Sequence, residues 1–328
     1  MENDKRTPVD RLNYTGSLEP VIKRLCGAYQ IGEPTDFSVF ELGYEDCNVL
    51  VVTGDKKYVA KIFSKGRSDD DIKGYVGRIE KVLEAGVNHP PLLTTTSGKT
   101  VYVDQEANRI SMVLMQFVEG SSFYQPGRAP NSEELQRITE QAAKINSIDY
   151  HPELVYDSWA IPNIHDMFDR VKQFIEPDDL ELVKEAISQY DQIPVSTLPY
   201  CFVHGDFTKL NVIKGDGGKM YILDFSVSNW YPRIQELAVI AANLLHDEKD
   251  DLSLAERCNR VADAYSKAGQ LTEDERRYLL PYALAGIAME FMGAIQEKYI
   301  NGNDTEETKH WHNLGRNGLI QALRKTNP

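Results

Sequence analysis

Four polar side chains stand out for what their types and order could do together. Asp206 is followed five residues later by Asn211, in the segment His204-Gly205-Asp206-Phe207-Thr208-Lys209-Leu210-Asn211. Asp224 comes one strand further on, in Ile222-Leu223-Asp224-Phe225-Ser226, and Lys61 lies far upstream in the apolar run Tyr58-Val59-Ala60-Lys61-Ile62-Phe63. Phosphoryl transfer from a nucleotide needs a carboxylate near the acceptor hydroxyl, to orient it and take its proton. It also needs oxygen ligands that hold Mg2+ against the phosphates. Mg2+ keeps several waters and asks a protein for little more than a carboxylate and an amide. Asp206, Asn211 and Asp224 match that requirement in order and spacing, with an apolar run before each acid. Each fragment alone is a weak signal; the set is a strong one.

The elements that must position these residues are read from periodicity and turn chemistry. Phe202-Val203 leads into the Asp206 segment. Val212-Ile213, a turn with Gly215, Gly217 and Gly218, and Tyr221-Ile222-Leu223 read as strand, tight turn, strand. This places the two acids and the amide at the ends of paired strands. Upstream, residues 1–16 read as a ragged, flexible tail. Residues 17–29 carry Leu18, Val21, Ile22, Leu25 and Cys26 at helical spacing. Strands follow over 37–63, with Gly43 to Asn48 between the first two. In the last of them Lys61 shares a face with Val59 and Phe63. A lysine on a solvent-facing edge is the rival reading, since Lys is rarely buried without a partner. A charged helix is expected over 69–84, closed by Gly86, and a strand pair over 100–118. The Gly120-Ser121-Ser122 connector marks a domain boundary. Beyond it the chain reads as helical: 131–145 behind an Asn131/Glu134 capping box, 178–190, 234–246, 254–267, 272–299 behind a Thr272/Glu275 box, and 307–323. The expectation is an α+β protein. An antiparallel-sheet lobe over 17–118 carries one main helix, and a larger, mainly α-helical lobe spans 119–328.

At these residues the sequence resembles the aminoglycoside phosphotransferase and choline kinase superfamily, which includes type II homoserine kinases. HGDFTKLN (His204 to Asn211), ILDFS (Ile222 to Ser226) and PRIQELA (Pro232 to Ala238) carry the likeness. VAKIF around Lys61 and VLMQFVEG (Val113 to Gly120) support it, and it covers roughly residues 20 to 300. The resemblance implies a two-lobed protein-kinase-like fold with ATP in the cleft, and ATP and Mg2+ as cofactors. It implies Asp206 as catalytic base, Asn211 and Asp224 as Mg2+ ligands, and Lys61 as the residue reaching the ATP phosphates. His204 joins Asp206 in the catalytic group as a support of the loop, a buried hydrogen-bonding residue rather than an acid or base. Glu236, carried on the helix after the Pro232-Arg233 turn, is a second support. Gly43 and Asn48 belong to the loop that would cover the phosphates, although its single glycine reads equally well as an ordinary hairpin turn. Met115, Gln116, Phe117 and Val118 would form the hinge, their backbone meeting the adenine edge.

The chain departs from this pattern in two places. Relatives carry a Glu on the first lobe's helix, about three turns before its closing Gly, to pair with the lysine; here that place falls near Tyr75. Glu80, Asp71 and Asp70 are the substitutes a register shift would offer. Asn146 stands where many relatives have a His. A protein kinase is a weaker alternative, because Ser226 replaces the glycine of Asp-Phe-Gly and the interval from Asp224 to Pro232 leaves little room for an activation loop. A non-catalytic, kinase-like nucleotide-binding protein is the other alternative, and retention of all three polar ligands argues against it.

Composition bounds the rest. With 41% hydrophobic and 26% charged residues the 328-residue chain reads as an ordinary globular protein. A net charge of −14 excludes a nucleic-acid backbone as partner and leans the small-molecule alcohol substrate towards a cationic amine or amino-alcohol. Cys26, Cys47, Cys201 and Cys258 are scattered core residues of a reducing compartment. The polar N-terminus reads as carrying no signal peptide. The apolar stretch from Tyr282 to Ile295, broken by Glu290 and two glycines, reads as too short and interrupted for a membrane span. The expected location is cytoplasmic. Trp230-Tyr231 reads as packing before pocket lining, and residues 247–251 as a solvated loop before an acidic rim. Phe123-Tyr124 and Tyr282 to Glu290 are candidate substrate-side elements.

Overall fold

Strand alternation builds one compact unit of this chain and helical stripes build the other. The computed structural model describes residues 7–247, 249–250 and 252–324. One unit holds residues up to Glu80 with His89–Glu119; the other holds Lys81–Asn88 and the chain from Gly120 onward.

In the first unit β1 (Asp36–Val39), β2 (Cys47–Thr53), β3 (Lys56–Ile62), β4 (Tyr102–Asp104) and β5 (Ile110–Gln116) pair antiparallel in the order β1-β2-β3-β5-β4. Alternation sorts the faces. Cys47, Val49, Val51, Ala60, Ile62, Met112 and Leu114 enter one core with Val21, Ile22 and Leu25 of α1 (Leu18–Tyr29). The expected tail at 1–16 is corrected here: Pro8–Arg11 forms a 3-10 turn, and Leu12, 5% exposed, joins the same core. Its anchors are too sparse among charged residues to register as a period, and residues 1–6 of that tail lie outside the described residues. Lys61 takes the opposite face of β3. That strand lies between β2 and β5, so Lys61 is buried and not on a solvent edge. On this face α2 (Asp69–Glu84) sets Tyr75 edge-on to Phe63, with ring centroids 5.5 Å apart.

In the second unit α3 (Ser132–Asn146), α4 (Ile164–Val171), α5 (Pro177–Tyr190), α6 (Ile234–Val239), α7 (Leu254–Tyr265), α8 (Glu273–Tyr299) and α9 (Glu306–Arg324) supply the bulk. Capping boxes at Asn131/Glu134, Ser253/Glu256 and Thr272/Glu275 start α3, α7 and α8. The hydrophobic centre is α8, which touches α4, α5, α6, α7 and α9. It is long and apolar enough to cross a membrane, contrary to the expectation of too short a stretch. Most of it is buried inside this unit, as in the core helix of a globular fold. The α8–α9 crossing is close enough that a Cβ on Gly315 would lie 2.4 Å from the Phe291 backbone nitrogen. The helix expected over 234–246 is broken. After α6 the chain makes a π-turn over Ile240–Leu244, which matters below.

Two small sheets flank the loop that carries Asp206. β6 (Gly120–Ser122), β8 (Val212–Gly215) and β9 (Met220–Ile222) form one, and β7 (Tyr200–Val203) pairs with β10 (Asn229–Pro232) in the other. The glycine turn between β8 and β9 is as read. The two acids, however, do not close one pair of strands: Asp206 follows β7 and Asp224 follows β9, in different sheets.

Candidate active site

The loop after β7 is held from beneath by a buried carboxylate. Glu236, on α6 and fully buried, accepts the His204 N–H on Oε1 at 2.6 Å and the Gly205 N–H on Oε2 at 3.0 Å. Burial pushes its carboxyl up to about 7, against the lowering effect of these amides. Gly205, at φ 88°, takes a backbone conformation that favours glycine. Asn146, at the end of α3, donates to the Phe202 carbonyl at 3.1 Å and to Glu236 Oε1 at 3.4 Å, while the Tyr265 hydroxyl donates to its Oδ1 at 2.9 Å. An amide thus ties the helix end to the loop at the position where a histidine was the expected residue.

His204 is fully buried and turned inward. Its Nε2 donates to the Leu223 carbonyl at 2.8 Å and its Nδ1 accepts the Asp206 N–H at 3.1 Å, which one neutral tautomer satisfies. Burial pushes its pKa down to about 4, consistent with that tautomer. Its ring joins the two acid-bearing segments, with both nitrogens engaged on backbone groups. Asn211 Nδ2 donates to Asp206 Oδ2 at 2.6 Å and to the Asp206 carbonyl at 3.1 Å. The amide nitrogen therefore serves Asp206. The Asn211 carbonyl takes the Leu223 N–H at 2.8 Å, which ties this loop to the residue before Asp224. Asp224 sits at φ 62°, unusual for a non-glycine, and its Oδ1 accepts from the Ser226 N–H at 3.2 Å and the Ser226 hydroxyl at 2.5 Å. Ser226, which replaces the glycine of Asp-Phe-Gly, thus fixes the Asp224 carboxylate.

Further contributors lie outside any short motif. The π-turn brings Asn243 beneath the loop, where its Oδ1 accepts the Lys209 N–H at 3.1 Å and its Nδ2 donates to Glu290 Oε1 at 2.8 Å. Such π-turns are often kept at functional sites. The Ala242 carbonyl in the same turn takes Nη1 of buried Arg257 at 3.0 Å. Beside this network is a cavity of about 280 Å³ lined by Tyr124, Lys209, Asn243, His246, Asp247 and Trp311, among others. Burial pushes His246 down to about 4, so it lines the cavity uncharged. Asp247 is the part of the expected solvated loop that reaches this wall; Glu248 and Asp251 of that loop lie outside the described residues. Of the other substrate-side candidates, Phe123 and Tyr282 are core residues, and Glu290 reaches the loop through Asn243. Trp230 stacks on His151 at 3.5 Å between centroids, which is packing.

In the first unit Lys61 Nζ lies 3.3 Å from Asp46 Oδ2 and 5.1 Å from the Tyr75 ring centroid. The acids weighed from sequence are differently engaged. Asp71 closes a reciprocal cap with Ser68, Asp70 pairs with Lys73 at 2.9 Å, and Glu80 is exposed. Asn48 is not in the loop but in β2, directly across from Lys61 in the ladder, whereas Gly43, at φ 99°, is in the loop. At the proposed hinge Gln116 is the exposed end of β5 and Val118 is half-buried. The Phe117 N–H donates to the Lys57 carbonyl at 3.1 Å, so this donor serves the sheet and not an adenine edge.

Residues 36–279 match the model of the APH phosphotransferase enzyme family. A homoserine kinase of Phenylobacterium zucineum (strain HLK1) is 22% identical over 286 residues, covering 85% of this chain and 84% of that protein. Among solved structures, spectinomycin phosphotransferase APH(9)-Ia in complex with ADP and spectinomycin is similar with a TM-score of 0.68 at 12% identity, over 89% of this chain and 93% of the other. An amicoumacin kinase in complex with AMP-PNP, Ca2+ and Ami is similar with a TM-score of 0.68 at 14% identity, over 95% of both chains. These two likenesses concern the fold: an antiparallel-sheet N-terminal lobe and a helical C-terminal region, as in protein kinases. The extent of the family match decides the assignment, and the chain belongs to the APH phosphotransferase enzyme family.

Proposed function

We propose that this protein transfers the γ-phosphate of ATP to a hydroxyl group of a small molecule, with Asp206 as the base. The observation that carries this reading is the fixed Asp206 carboxylate. It follows a loop whose backbone hangs on Glu236, and its Oδ2 is set by Asn211 Nδ2 at 2.6 Å. In the reaction the acceptor oxygen forms a bond to the γ-phosphorus, the bond from that phosphorus to the bridging oxygen of ADP breaks, and the hydroxyl proton goes to Asp206. Catalysis is positioning and charge stabilisation more than covalent chemistry. Lys61 supplies positive charge for the phosphates.

The donor set fits Mg2+. Asn211 uses its side-chain nitrogen on Asp206, which leaves the amide oxygen as the metal-type donor, and Asp224 contributes a carboxylate braced by Ser226. One carboxylate and one amide are what this hard ion takes alongside water and phosphate oxygens, and it would neutralise phosphate charge there. His204, with both ring nitrogens engaged on backbone, supports the loop.

The acceptor is read as small. A cavity of about 280 Å³ falls at or below the roughly 300–1,000 Å³ of drug-sized sites. Its wall carries Lys209 and Lys249 as well as Asp247, which suits a molecule bearing both charges better than the purely cationic one suggested by net charge. The homoserine kinase relative supports a hydroxylated amino acid of that size. The test is ATP depletion with Mg2+ across hydroxylated amino acids, amino-alcohols, sugars and aminoglycosides. Turnover is expected with a hydroxylated amino acid. Turnover confined to aminoglycosides would contradict the small acceptor, and none with any alcohol, together with no Mg-ATP effect on Tm, would favour a non-catalytic protein.

A further inference from the structure

We propose that Asp46, on the loop between β1 and β2, is the acid that positions Lys61 for phosphate, taking over from an acid on α2. The proposal rests on the phosphotransfer reading above.

Lys61 is 3% exposed, and an ammonium group so placed keeps its charge only beside a counter-charge. The facing residue of α2 is Tyr75, whose ring offers a quadrupole 5.1 Å from Nζ but no negative charge. Asp46 is 4% exposed, and its two oxygens have different duties. Oδ1 accepts the Ser64 N–H at 3.0 Å, which pins the carboxylate to the chain just after β3. Oδ2 makes no hydrogen bond and stands 3.3 Å from Lys61 Nζ, so this contact is one of charge. The β2–β3 ladder sets the distance, because Cys47 pairs with Ile62 and Asn48 with Lys61, which delivers residue 46 beside the same turn of chain. Arg67 lies 3.6 Å from the same oxygen and also pairs with Glu45, so two consecutive loop acids are tied to cations at and beyond the end of β3. Lys61 is thereby positioned from the β1–β2 loop, and a helix with Tyr75 at the facing position becomes compatible with a placed lysine.

The test is a double-mutant cycle read by Mg-ATP affinity and by the KM for ATP. Asp46→Asn keeps an oxygen for Ser64 and removes the charge; it should weaken ATP binding about tenfold and raise KM more than it lowers kcat. Asp46→Glu should recover part of the loss, and Asp46→Ser is the neutral variant to use if Asp46→Asn melts early. In a Lys61→Met background, Asp46→Asn should change ATP affinity less than twofold, because the contact it breaks is already gone. Asp70→Asn and Glu80→Gln should stay within twofold of wild type. Equal ATP affinity for Asp46→Asn and wild type, losses that simply multiply in the cycle, or a tenfold loss in Glu80→Gln would each overturn the proposal. A wild-type protein that does not bind Mg-ATP would instead overturn the phosphotransfer reading itself.

Discussion

The two charged centres of this protein are fixed in opposite ways. The loop after β7 hangs on partners from distant elements, Glu236 on α6 and Asn243 on the π-turn, with Asn146 of α3 bracing Phe202 and Glu236 and the loop's own His204 ring turned inward onto the Leu223 carbonyl. Lys61 leans on an acid from an adjacent turn and on one aromatic face. A group held by several satisfied hydrogen bonds is rigid, and each bond is costly to remove. The Asp46 contact of Lys61 joins neighbouring turns of chain and can be removed by a single substitution. The difference teaches that in this chain the acid-bearing loop is structural as well as chemical, whereas the lysine's setting is local.

Breaking the loop's anchor should have the largest effect on stability. Glu236→Ala leaves the His204 and Gly205 N–H groups buried without acceptors, at a cost of about 1–3 kcal/mol each. Tm should fall by several degrees and turnover should fall with it. Unchanged melting would mean that the loop is not held as described. Asn243→Ala also deprives two groups, the Lys209 N–H and Glu290 Oε1, but both belong to half-buried residues, so the total should be smaller, about 1–2 kcal/mol. Because Lys209 lines the cavity, KM for the acceptor should rise more than KM for ATP. Equal rises would separate the cavity from the acceptor.

These anchors differ in how far the sequence could reveal them. Asp206, Asn211, Asp224 and Glu236 lie in three short motifs between residues 204 and 238, because the strands and the helix that carry them follow one another along the chain. The sheet, the capped helices and the helical lobe followed from period and turn chemistry. Asp46 was not legible: it joins Lys61 only through ladder register, and its neighbours Glu45 and Cys47 give no period to single it out. Asn243 was hidden because a helix read through 234–246 as regular α would not turn it towards Lys209; the π-turn does. The Phe117 N–H looked free for a ligand because its partner, the Lys57 carbonyl, also depends on strand register. Leu12 was lost to a polar tail for want of a repeating neighbour.

The smallest effect sharpens the comparison through pH. Glu290 Oε2 is shut off from water without a hydrogen bond, and burial raises this carboxyl from 4.5 to about 7. With the folded-state pKa raised, its contribution to stability is complete below about pH 4.5 and is lost as pH rises through 7. Glu290→Gln keeps an oxygen for Asn243 and abolishes that dependence. The variant's Tm relative to wild type should therefore climb between pH 5 and pH 8, by about 2 °C for each kcal/mol involved. A difference that is flat with pH would mean that Glu290 titrates as an ordinary carboxylate.

The central claim is that Asp206 takes the acceptor's proton during phosphate transfer. Its most direct test is transfer of labelled γ-phosphate from ATP to the best small alcohol, by wild type and by Asp206→Asn, with Mg-ATP binding measured on both. The account predicts a kcat reduced about 10²–10⁴-fold with ATP affinity within a few-fold of wild type. Turnover by Asp206→Asn equal to that of the wild type would contradict it.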